Sequence, residues 1–326
     1  MNIASINNIF SVDAQSFTER CLEIFGFQYQ DNAVYRQWCD AIDRDLAKVN
    51  SIEQIPFLPI SFFKSHKIVA GEFEAAVIFE SSGTTQTTSS RHFLKSTELY
   101  TNSFMEAFQM FYGDPSAYCI LALLPSYLEK GNSSLVFMVE ELIKQSNHPQ
   151  SGFYLHDHAE LAKQLTLLEG SGQKTILFGV TYALLDFAEA YPISLKHTTI
   201  IETGGMKGRK KELTRWEVHE ILKRSFGLQQ IHSEYSMTEL LSQAYSKENG
   251  VFSCPSWMKI LVRSEDDPLE VRNEGRGVIN IIDLANAYSC SFIATDDAGI
   301  LYNDGSFEVR GRVDNSDIRG CSLLAL

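Results

Sequence analysis

The chain has 326 residues, 44% of them hydrophobic and 21% charged, which suits one large or two medium-sized globular domains. Its net charge of −13 argues against a nucleic-acid partner, since nucleic-acid binding usually requires a basic surface. We expect a cytoplasmic protein without a membrane span, because no apolar run approaches ~18 residues and the N-terminus lacks the basic start and apolar run of a signal peptide.

The first sixty residues form a predicted helical and extended lead-in. Apolar side chains recur there at helical spacing, at Phe17, Cys21, Ile24 and Phe25 and again at Val34, Trp38, Ile42 and Leu46. Pro56 and Pro59 then indicate an extended connector, because proline does not continue a helix interior. We predict that residues 1–60 lead into one large domain that continues to residue 311.

Strand-like and helix-like segments alternate in the middle of the chain. The predicted strands are residues 75–79, 117–124, 175–180 and 197–202, and the predicted helices are residues 133–145, 182–190 and 210–226. Continuous apolar strands that alternate with helices are typical of mostly parallel sheets layered with helices. The sequence therefore predicts an α/β fold.

From residue 250 the pattern changes to short strands separated by glycine and aspartate turns. These strands are predicted at residues 277–284, 290–294, 299–302 and 307–309. They indicate a small antiparallel β region over residues 250–311. Residues 312–326 form a predicted polar arm that carries Cys321.

None of the six cysteines has the spacing of a zinc site or a Cys-x-x-Cys pair, so in a cytosolic protein most of them are expected to be free thiols: Cys21, Cys39, Cys119, Cys254, Cys290 and Cys321. Cys119 and Cys290 fall in apolar runs and are predicted core residues. Cys321 differs because charged residues and a glycine surround it. A thiol on a terminal arm that is not packed can move to a site and leave it again.

A Ser/Thr-rich loop follows the first predicted strand of the α/β region. Among residues 81–90, eight carry hydroxyl groups and one is glycine. Such a loop supplies amide and hydroxyl donors that suit the phosphate oxygens of a nucleotide. It is not a P-loop of the Gly-x4-Gly-Lys type, because no lysine follows. A Ser/Thr-rich surface linker is the alternative interpretation.

Four later segments combine with this loop. Gly204 and Gly205 follow a predicted buried strand and allow the backbone to approach a planar ligand closely. Residues 233–239 follow another strand and offer an aromatic face, a hydroxyl and a carboxylate. Residues 294–297 place an acid at a strand end, and Arg312 supplies a cation with fork geometry. Each segment alone also has a structural explanation, such as a core tyrosine or an aspartate turn.

In order and spacing, these segments resemble the adenylate-forming enzymes, which include acyl-CoA ligases; the resemblance covers residues 75–315. Residues 235–239 are similar to the Tyr-Gly-x-Thr-Glu signature with serine in place of glycine, and residues 295–297 to Thr-Gly-Asp with aspartate in place of glycine. The closest resemblance is to the acyl-protein synthetases of bacterial fatty-acid reductase systems, the type that supplies aldehyde for bioluminescence. The segments that carry it are residues 124–127, 133–135, 203–205 and 319–322.

The resemblance implies ATP and Mg²⁺ as cofactors and a role for each matching residue. The residues that would bind the β- and γ-phosphates of ATP are those of the loop, Ser81, Ser82, Gly83, Thr84 and Thr85. Gly204 and Gly205 would border the adenine and the acyl chain, and Tyr235 would stack on the adenine.

The remaining implied roles concern the α-phosphate, the metal and the ribose. Thr238 would bind the α-phosphate. Glu239 would bind Mg²⁺, a hard cation that prefers carboxylate and phosphate oxygens. Asp297 would hold the ribose, with Arg312 beside it.

The chain also departs from the superfamily pattern. Gln86 replaces a glycine of the phosphate loop, and no lysine closes that loop. We expect the usual C-terminal domain with its catalytic lysine to be absent, because the sequence stops shortly after the motif that precedes it. Lys207 is the local candidate to neutralise the α-phosphate, and a solvated surface lysine is the alternative interpretation.

The resemblance implies a two-step acyl transfer. A fatty or related carboxylic acid would react with ATP to give acyl-AMP, and the thiolate of Cys321 would take the acyl group as a thioester. The acyl group would then pass to an acyl-CoA reductase-like or carrier-protein partner. Two alternatives stay open: a ligase of the same superfamily that delivers the acyl group to coenzyme A or a carrier protein, and a catalytically inactive subunit that binds nucleotide or acyl groups.

Overall fold

The computed structural model describes residues 9–42, 46–81, 89–125, 131–204 and 213–313. The chain divides into two compact units, each built from separate stretches of sequence. The first unit comprises Met1–Ser103, Met237–Ser242 and Ser253–Leu326, and the second comprises Phe104–Ser236 and Gln243–Phe252. Within the described ranges, no helix combines the length and the apolar character needed to cross a membrane.

The described residues form the alternating helices and strands that the sequence predicts for residues 75–226. The helices are α1 (Phe17–Asp31), α2 (Ala33–Ala41), α3 (Phe62–Ser65), α4 (Thr97–Tyr112), α5 (Ser134–Ser146), α6 (His158–Ser171), α7 (Thr181–Ala190) and α8 (Arg215–Phe226). The strands are β1 (Leu58–Pro59), β2 (Val77–Glu80), β3 (Arg91–Leu94), β4 (Cys119–Leu123), β5 (Gly152–Phe153), β6 (Thr175–Val180), β7 (Thr198–Thr203), β8 (His232–Tyr235), β9 (Ala244–Ser246), β10 (Val251–Phe252), β11 (Met258–Arg263), β12 (Val271–Arg272), β13 (Gly275–Asp283), β14 (Phe292–Leu301) and β15 (Phe307–Arg312).

The second unit is built on a mostly parallel sheet with the strand order β5-β4-β6-β7-β8-β9. All its pairs are parallel except β8 with β9. Every residue of β4 is buried, as expected for a strand that helices cover on both faces. Because parallel strands end at the same edge, the residues that follow β7 and β8 lie close together, and Thr203 pairs with Glu234 there.

Caps and apolar packing fix the helices of the second unit. Asp157 caps α6 by accepting from the Glu160 amide. At the start of α8, Thr214 and Glu217 form a reciprocal capping box, and the helix predicted over residues 210–226 is described from Arg215 onward. The helices pack on the sheet through buried side chains that include Leu121, Leu177, Leu184, Phe187, Leu222 and Phe226. Full burial of each such side chain stabilises the folded state by ~1.5–3 kcal/mol.

The first unit contains the predicted antiparallel sheet, with the strand order β15-β14-β13-β11-β12. The short strand β1, which lies in the predicted extended connector, joins it parallel to β14. A separate antiparallel hairpin is formed by β2 and β3. Aromatic side chains of the lead-in pack against the sheet, as when the ring of Tyr35 lies 6.1 Å from that of Phe292.

Two details of the predicted strands are wrong. Residues 290–302, predicted as two strands around an aspartate turn, form the single strand β14, which pairs with β13 and β15 across local register shifts. These bulges let the strand continue through Asp297, so Asp297 does not lie at a strand end. Gly299 permits this close pairing, because a Cβ atom there would lie 2.5 Å from the Glu308 carbonyl oxygen. Residues 233–235, predicted to follow a strand, form part of β8.

Candidate functional site

The predicted phosphate loop connects the two strands of the β2–β3 hairpin. At its base, the Ser81 amide donates to the Ser90 carbonyl at 3.0 Å, and the Ser90 amide donates to the Ser81 hydroxyl oxygen at 2.9 Å. These two bonds hold both ends of the loop together. The other predicted phosphate ligands, Ser82, Gly83, Thr84 and Thr85, lie outside the described residues.

In the second unit, a buried carboxylate organises the edge where β7 and β8 end. Glu202, on β7, accepts from the Ser233 hydroxyl at 2.8 Å and from Arg215 Nε at 3.2 Å. Its second oxygen accepts from the Thr181 hydroxyl at 2.9 Å. His219 Nε2 lies 3.6 Å from the first oxygen. One side chain thus connects two strands with the first turns of α7 and α8.

The groups around Glu202 keep its carboxyl group ionised. Burial raises the pKa of its carboxyl group, but the His219 ring, the Arg215 guanidinium and the Ser233 hydroxyl outweigh burial and lower the pKa below its usual value. Glu202 is therefore a carboxylate at neutral pH. Since both of its oxygens already accept hydrogen bonds from the protein, its role is structural.

The same network reaches two of the predicted adenine-binding positions of this unit, Gly204 and Tyr235. The Thr181 hydroxyl also lies 2.9 Å from the Gly204 carbonyl oxygen, and Gly204 has a φ of +74°, which favours glycine. The Arg215 guanidinium lies 5.0 Å from the Phe252 ring centre, and that ring lies 5.9 Å from Tyr235. Gly205 and Lys207 lie outside the described residues.

Glu234, on β8, is a second buried carboxyl group in this unit. It accepts a hydrogen bond from the Thr203 hydroxyl on one oxygen, while its other oxygen has no partner among the described residues. Burial, together with the negative charge of Glu202, raises the pKa of Glu234 to about 7, against the opposing effect of hydrogen bonds from Ser236 and Thr203. A protonated Glu234 is therefore well populated near neutral pH.

The first unit contains Thr238 and Glu239, the end of the signature segment. Both backbone carbonyls accept hydrogen bonds from side chains distant in sequence, His92 and Asn286. The Glu239 side chain is 5% exposed. Burial raises the pKa of its carboxyl group, and the Ser90 hydroxyl together with the positive charges of Arg312 and Lys64 only partly opposes this shift. Glu239 is thus a buried carboxyl group whose charged form burial disfavours.

The predicted ribose-binding pair lies on adjacent strands of the first unit. The register of β14 and β15 places Asp297 opposite Arg312. Arg312 Nε lies 3.4 Å from an Asp297 oxygen, but the arginine side chain is 80% exposed, so this ion pair adds little stability. The Val313 amide donates to the Asp296 carbonyl at 2.8 Å, and the rest of the predicted arm, including Cys321, lies outside the described residues.

Sequence reasoning missed the side chains that support the predicted ligands: Glu202, Arg215, Ser90, His92 and Asn286. For Glu202 and His92 a signal exists, because each is a polar residue directly beside apolar residues of a strand, Glu202 after Ile200 and Ile201 and His92 before Phe93 and Leu94. Such a residue must find a partner when it is buried. The identity of that partner depends on contacts between residues far apart in the sequence.

Comparisons with known proteins agree with the fold. The ATP-bound structure of MatB from Rhodopseudomonas palustris is 15% identical and has a TM-score of 0.54, and the match covers 74% of this chain and 49% of that one. O-succinylbenzoate coenzyme A synthetase (MenE) from Bacillus subtilis, in complex with AMP, is 16% identical with a TM-score of 0.50, covering 74% and 50%. The chain therefore spans about half the length of these solved structures.

At this level of identity the similarity shows the fold alone, which is that of the adenylate-forming ligases. It confirms the predicted α/β class. No match was found among curated proteins. The family model described as acyl-protein synthetase, LuxE, matches residues 8–325.

Proposed function

The chain belongs to the family of acyl-protein synthetases described as LuxE, and from this premise we propose that it activates a fatty or related carboxylic acid with ATP. In the first step, a carboxylate oxygen of the acid bonds to the α-phosphorus of ATP, and pyrophosphate leaves. In the second, a thiolate attacks the acyl carbonyl carbon, the bond to AMP breaks, and AMP leaves. The product is an acyl thioester on the protein, and we assign its sulfur to Cys321.

The observation that carries this proposal is the state of Glu239. A buried carboxyl group whose pKa burial raises is stabilised when a cation approaches, because the cation compensates the charge that burial penalises. Mg²⁺ usually takes one or two carboxylates together with phosphate oxygens, so a single glutamate suffices. Among the residues that the structure describes, no group of three His, Cys, Asp or Glu side chains forms a separate metal cage. Bound Mg²⁺ would supply positive charge to the ATP phosphates.

Other residues of the signature and of the loops would bind the nucleotide. We assign Thr238 to the α-phosphate, Tyr235 to the adenine, and Asp297 with Arg312 to the ribose. Lys207 would neutralise charge at the α-phosphate. The remaining nucleotide ligands in this proposal are Ser81, Ser82, Gly83, Thr84, Thr85, Gly204 and Gly205.

The described cysteines are poor alternatives to Cys321 as nucleophiles. The thiolate is the reactive form, and burial in apolar surroundings suppresses it. Burial raises the pKa of Cys39 to about 12 and that of Cys119 to about 11. The same cause raises the pKa values of the Cys21 and Cys290 thiols further. It also raises the pKa of Cys254, although part of that residue is exposed.

The first experiment is acid-dependent exchange between ATP and labelled pyrophosphate, measured with a panel of carboxylic acids of increasing chain length. We expect exchange that requires both Mg²⁺ and an acid, because acyl-AMP formation is reversible in the presence of pyrophosphate. Loss of exchange in Glu239→Gln would support the metal assignment. Absence of exchange with every acid would favour an inactive nucleotide- or acyl-binding subunit.

The second experiment tests the thioester. Cys321→Ser should abolish hydroxylamine-sensitive labelling of the protein by radiolabelled acid, while acid-dependent exchange stays intact. Cys254→Ser is the matched control, because Cys254 is the one described cysteine that is not fully buried. Unchanged labelling in Cys321→Ser would contradict the assignment. Transfer of the label to coenzyme A or a carrier protein without labelling of the enzyme would favour the alternative ligase, whereas transfer to a reductase-like protein would identify the partner class.

A further inference from the structure

We propose that His92 and Asn286 are positioning residues that orient the Glu239 side chain by holding the two peptide groups on either side of its Cα atom. The value of this orientation rests on the proposed function, in which Glu239 binds Mg²⁺. The hydrogen bonds themselves are features of the first unit. They connect β3 and the turn after β13 to the signature segment.

Each of the two side chains donates to one carbonyl. His92 is 1% exposed, and its Nδ1 lies 2.8 Å from the Thr238 carbonyl oxygen; since a carbonyl can only accept, we assign the ring proton to Nδ1. Asn286 Nδ2 donates to the backbone carbonyl oxygen of Glu239 at 2.7 Å and to that of Cys290 at 2.9 Å. These two acceptors fix the orientation of the amide group. His92 Nε2 lies 3.0 Å from Asn286 Oδ1, which is also an acceptor, so a neutral ring with its proton on Nδ1 donates to Thr238 and makes no hydrogen bond to Asn286.

Because peptide groups are planar, these two hydrogen bonds restrict the direction of the Glu239 side chain. The Thr238 carbonyl belongs to the peptide plane before the Glu239 Cα atom, and the Glu239 carbonyl belongs to the plane after it. Fixing the directions of both carbonyls therefore restricts both φ and ψ of Glu239. Those two angles set the direction of the Cα–Cβ bond, and so the region that the carboxyl group reaches. A residue that touches neither nucleotide nor metal thereby controls where the carboxylate lies.

The next turn of the segment is held independently. The amides of Leu241 and Ser242 donate to Asp283 Oδ2 at 2.8 and 3.0 Å. The Ser242 hydroxyl donates to Asp283 Oδ1 at 2.6 Å. Loss of the His92 bond should therefore loosen residues 238–239 without releasing the whole segment. This separates a positioning effect from general unfolding.

The test compares His92→Leu, which removes both ring nitrogens, with His92→Gln, whose amide can still donate to Thr238. The readout is the Mg²⁺ concentration that gives half-maximal acid-dependent pyrophosphate exchange. We expect His92→Leu and Asn286→Leu to raise it about tenfold, the effect of one buried hydrogen bond, and His92→Gln to recover part of the loss. Leu261→Ala is the control for destabilisation, because Leu261 is fully buried in the same unit and should lower the melting temperature without changing the Mg²⁺ requirement.

Hydrogen–deuterium exchange provides a readout that does not depend on activity. In His92→Leu, a peptide covering Met237–Ser242 should exchange about tenfold faster than in the wild type, while the peptides of β11 and β13 keep their rates. Faster exchange in an enzyme that shows no pyrophosphate exchange would uphold the positioning and overturn the proposed function. Unchanged deuterium uptake, or an unchanged Mg²⁺ requirement in an active His92→Leu variant, would overturn the positioning proposal.

Discussion

Glu202 and Glu239 are both buried glutamates beside a predicted nucleotide-binding segment, one in each unit, but their surroundings act in opposite directions. In the second unit, Ser233, Thr181 and Arg215 donate to Glu202. Against the effect of burial, His219, Arg215 and Ser233 lower the pKa of its carboxyl group. In the first unit, the hydrogen-bond donors His92 and Asn286 serve the backbone carbonyls of the segment, and burial raises the pKa of the Glu239 carboxyl group.

The difference separates a structural carboxylate from one that can accept a ligand. A buried carboxylate that accepts hydrogen bonds on both oxygens stays charged, and removing its charge leaves its partners uncompensated. A carboxylate whose charge burial disfavours lowers the stability of the free protein, and a bound cation offsets this loss. Residues that bind ligands are often destabilising for this reason. The two glutamates should therefore respond differently to the same substitution.

The largest expected effect is that of Glu202→Gln. Removing the charge leaves Arg215 without its buried partner, and we expect the free energy of unfolding at pH 7 to fall by about 3 kcal/mol, at the lower end for a broken buried pair because Arg215 is partly exposed. The matched change Glu239→Gln should alter stability by less than about 0.5 kcal/mol, since it removes a charge that burial disfavours. Urea unfolding of the three proteins measures both values. Equal losses in the two variants would remove the distinction between the glutamates.

Glu234 is a second buried carboxyl group whose pKa is raised, so its titration should make the stability of the protein depend on pH. Its pKa is about 7 in the folded protein and near 4.5 when unfolded, so the folded state binds the proton more tightly. The stabilising contribution is complete below pH ~4.5 and is lost as the pH rises through 7. Between pH 5 and pH 8, the wild type should therefore lose about 2 kcal/mol relative to Glu234→Gln, which cannot titrate. Urea unfolding across this range measures the difference, and parallel pH profiles would contradict the raised pKa.

The smallest expected loss of stability is that of Thr214→Ala, at the start of the helix that carries Arg215. Thr214→Ala removes the capping box at the start of α8 and should lower the free energy of unfolding by about 1 kcal/mol. Because the loss falls on the second unit, the Mg²⁺ requirement of pyrophosphate exchange should stay unchanged, unlike in His92→Leu. A raised Mg²⁺ requirement in Thr214→Ala would mean that the two supporting networks are not separate.

Local patterns were sufficient for most of the secondary structure. The strand predicted over residues 175–180 has the bounds of β6, because a short, continuous apolar run has few other stable positions than a buried strand. The prediction failed around Asp297, where two aspartates and a glycine read as a turn. There the pairing of β14 with strands on both sides outweighs the local turn preference.

The sequence by itself determined the α/β class, the order of the segments that resemble adenylate-forming enzymes, and the identity of candidate ligands such as Glu239. These follow from periodicity and from short motifs, which are properties of neighbouring residues. Only the tertiary structure decided that both oxygens of Glu202 accept hydrogen bonds, that burial disfavours the charge of Glu239, and that His92 and Asn286 hold the backbone beside Glu239. Burial and hydrogen bonding set the state of a carboxyl group, and both depend on residues that the fold brings together from distant parts of the chain.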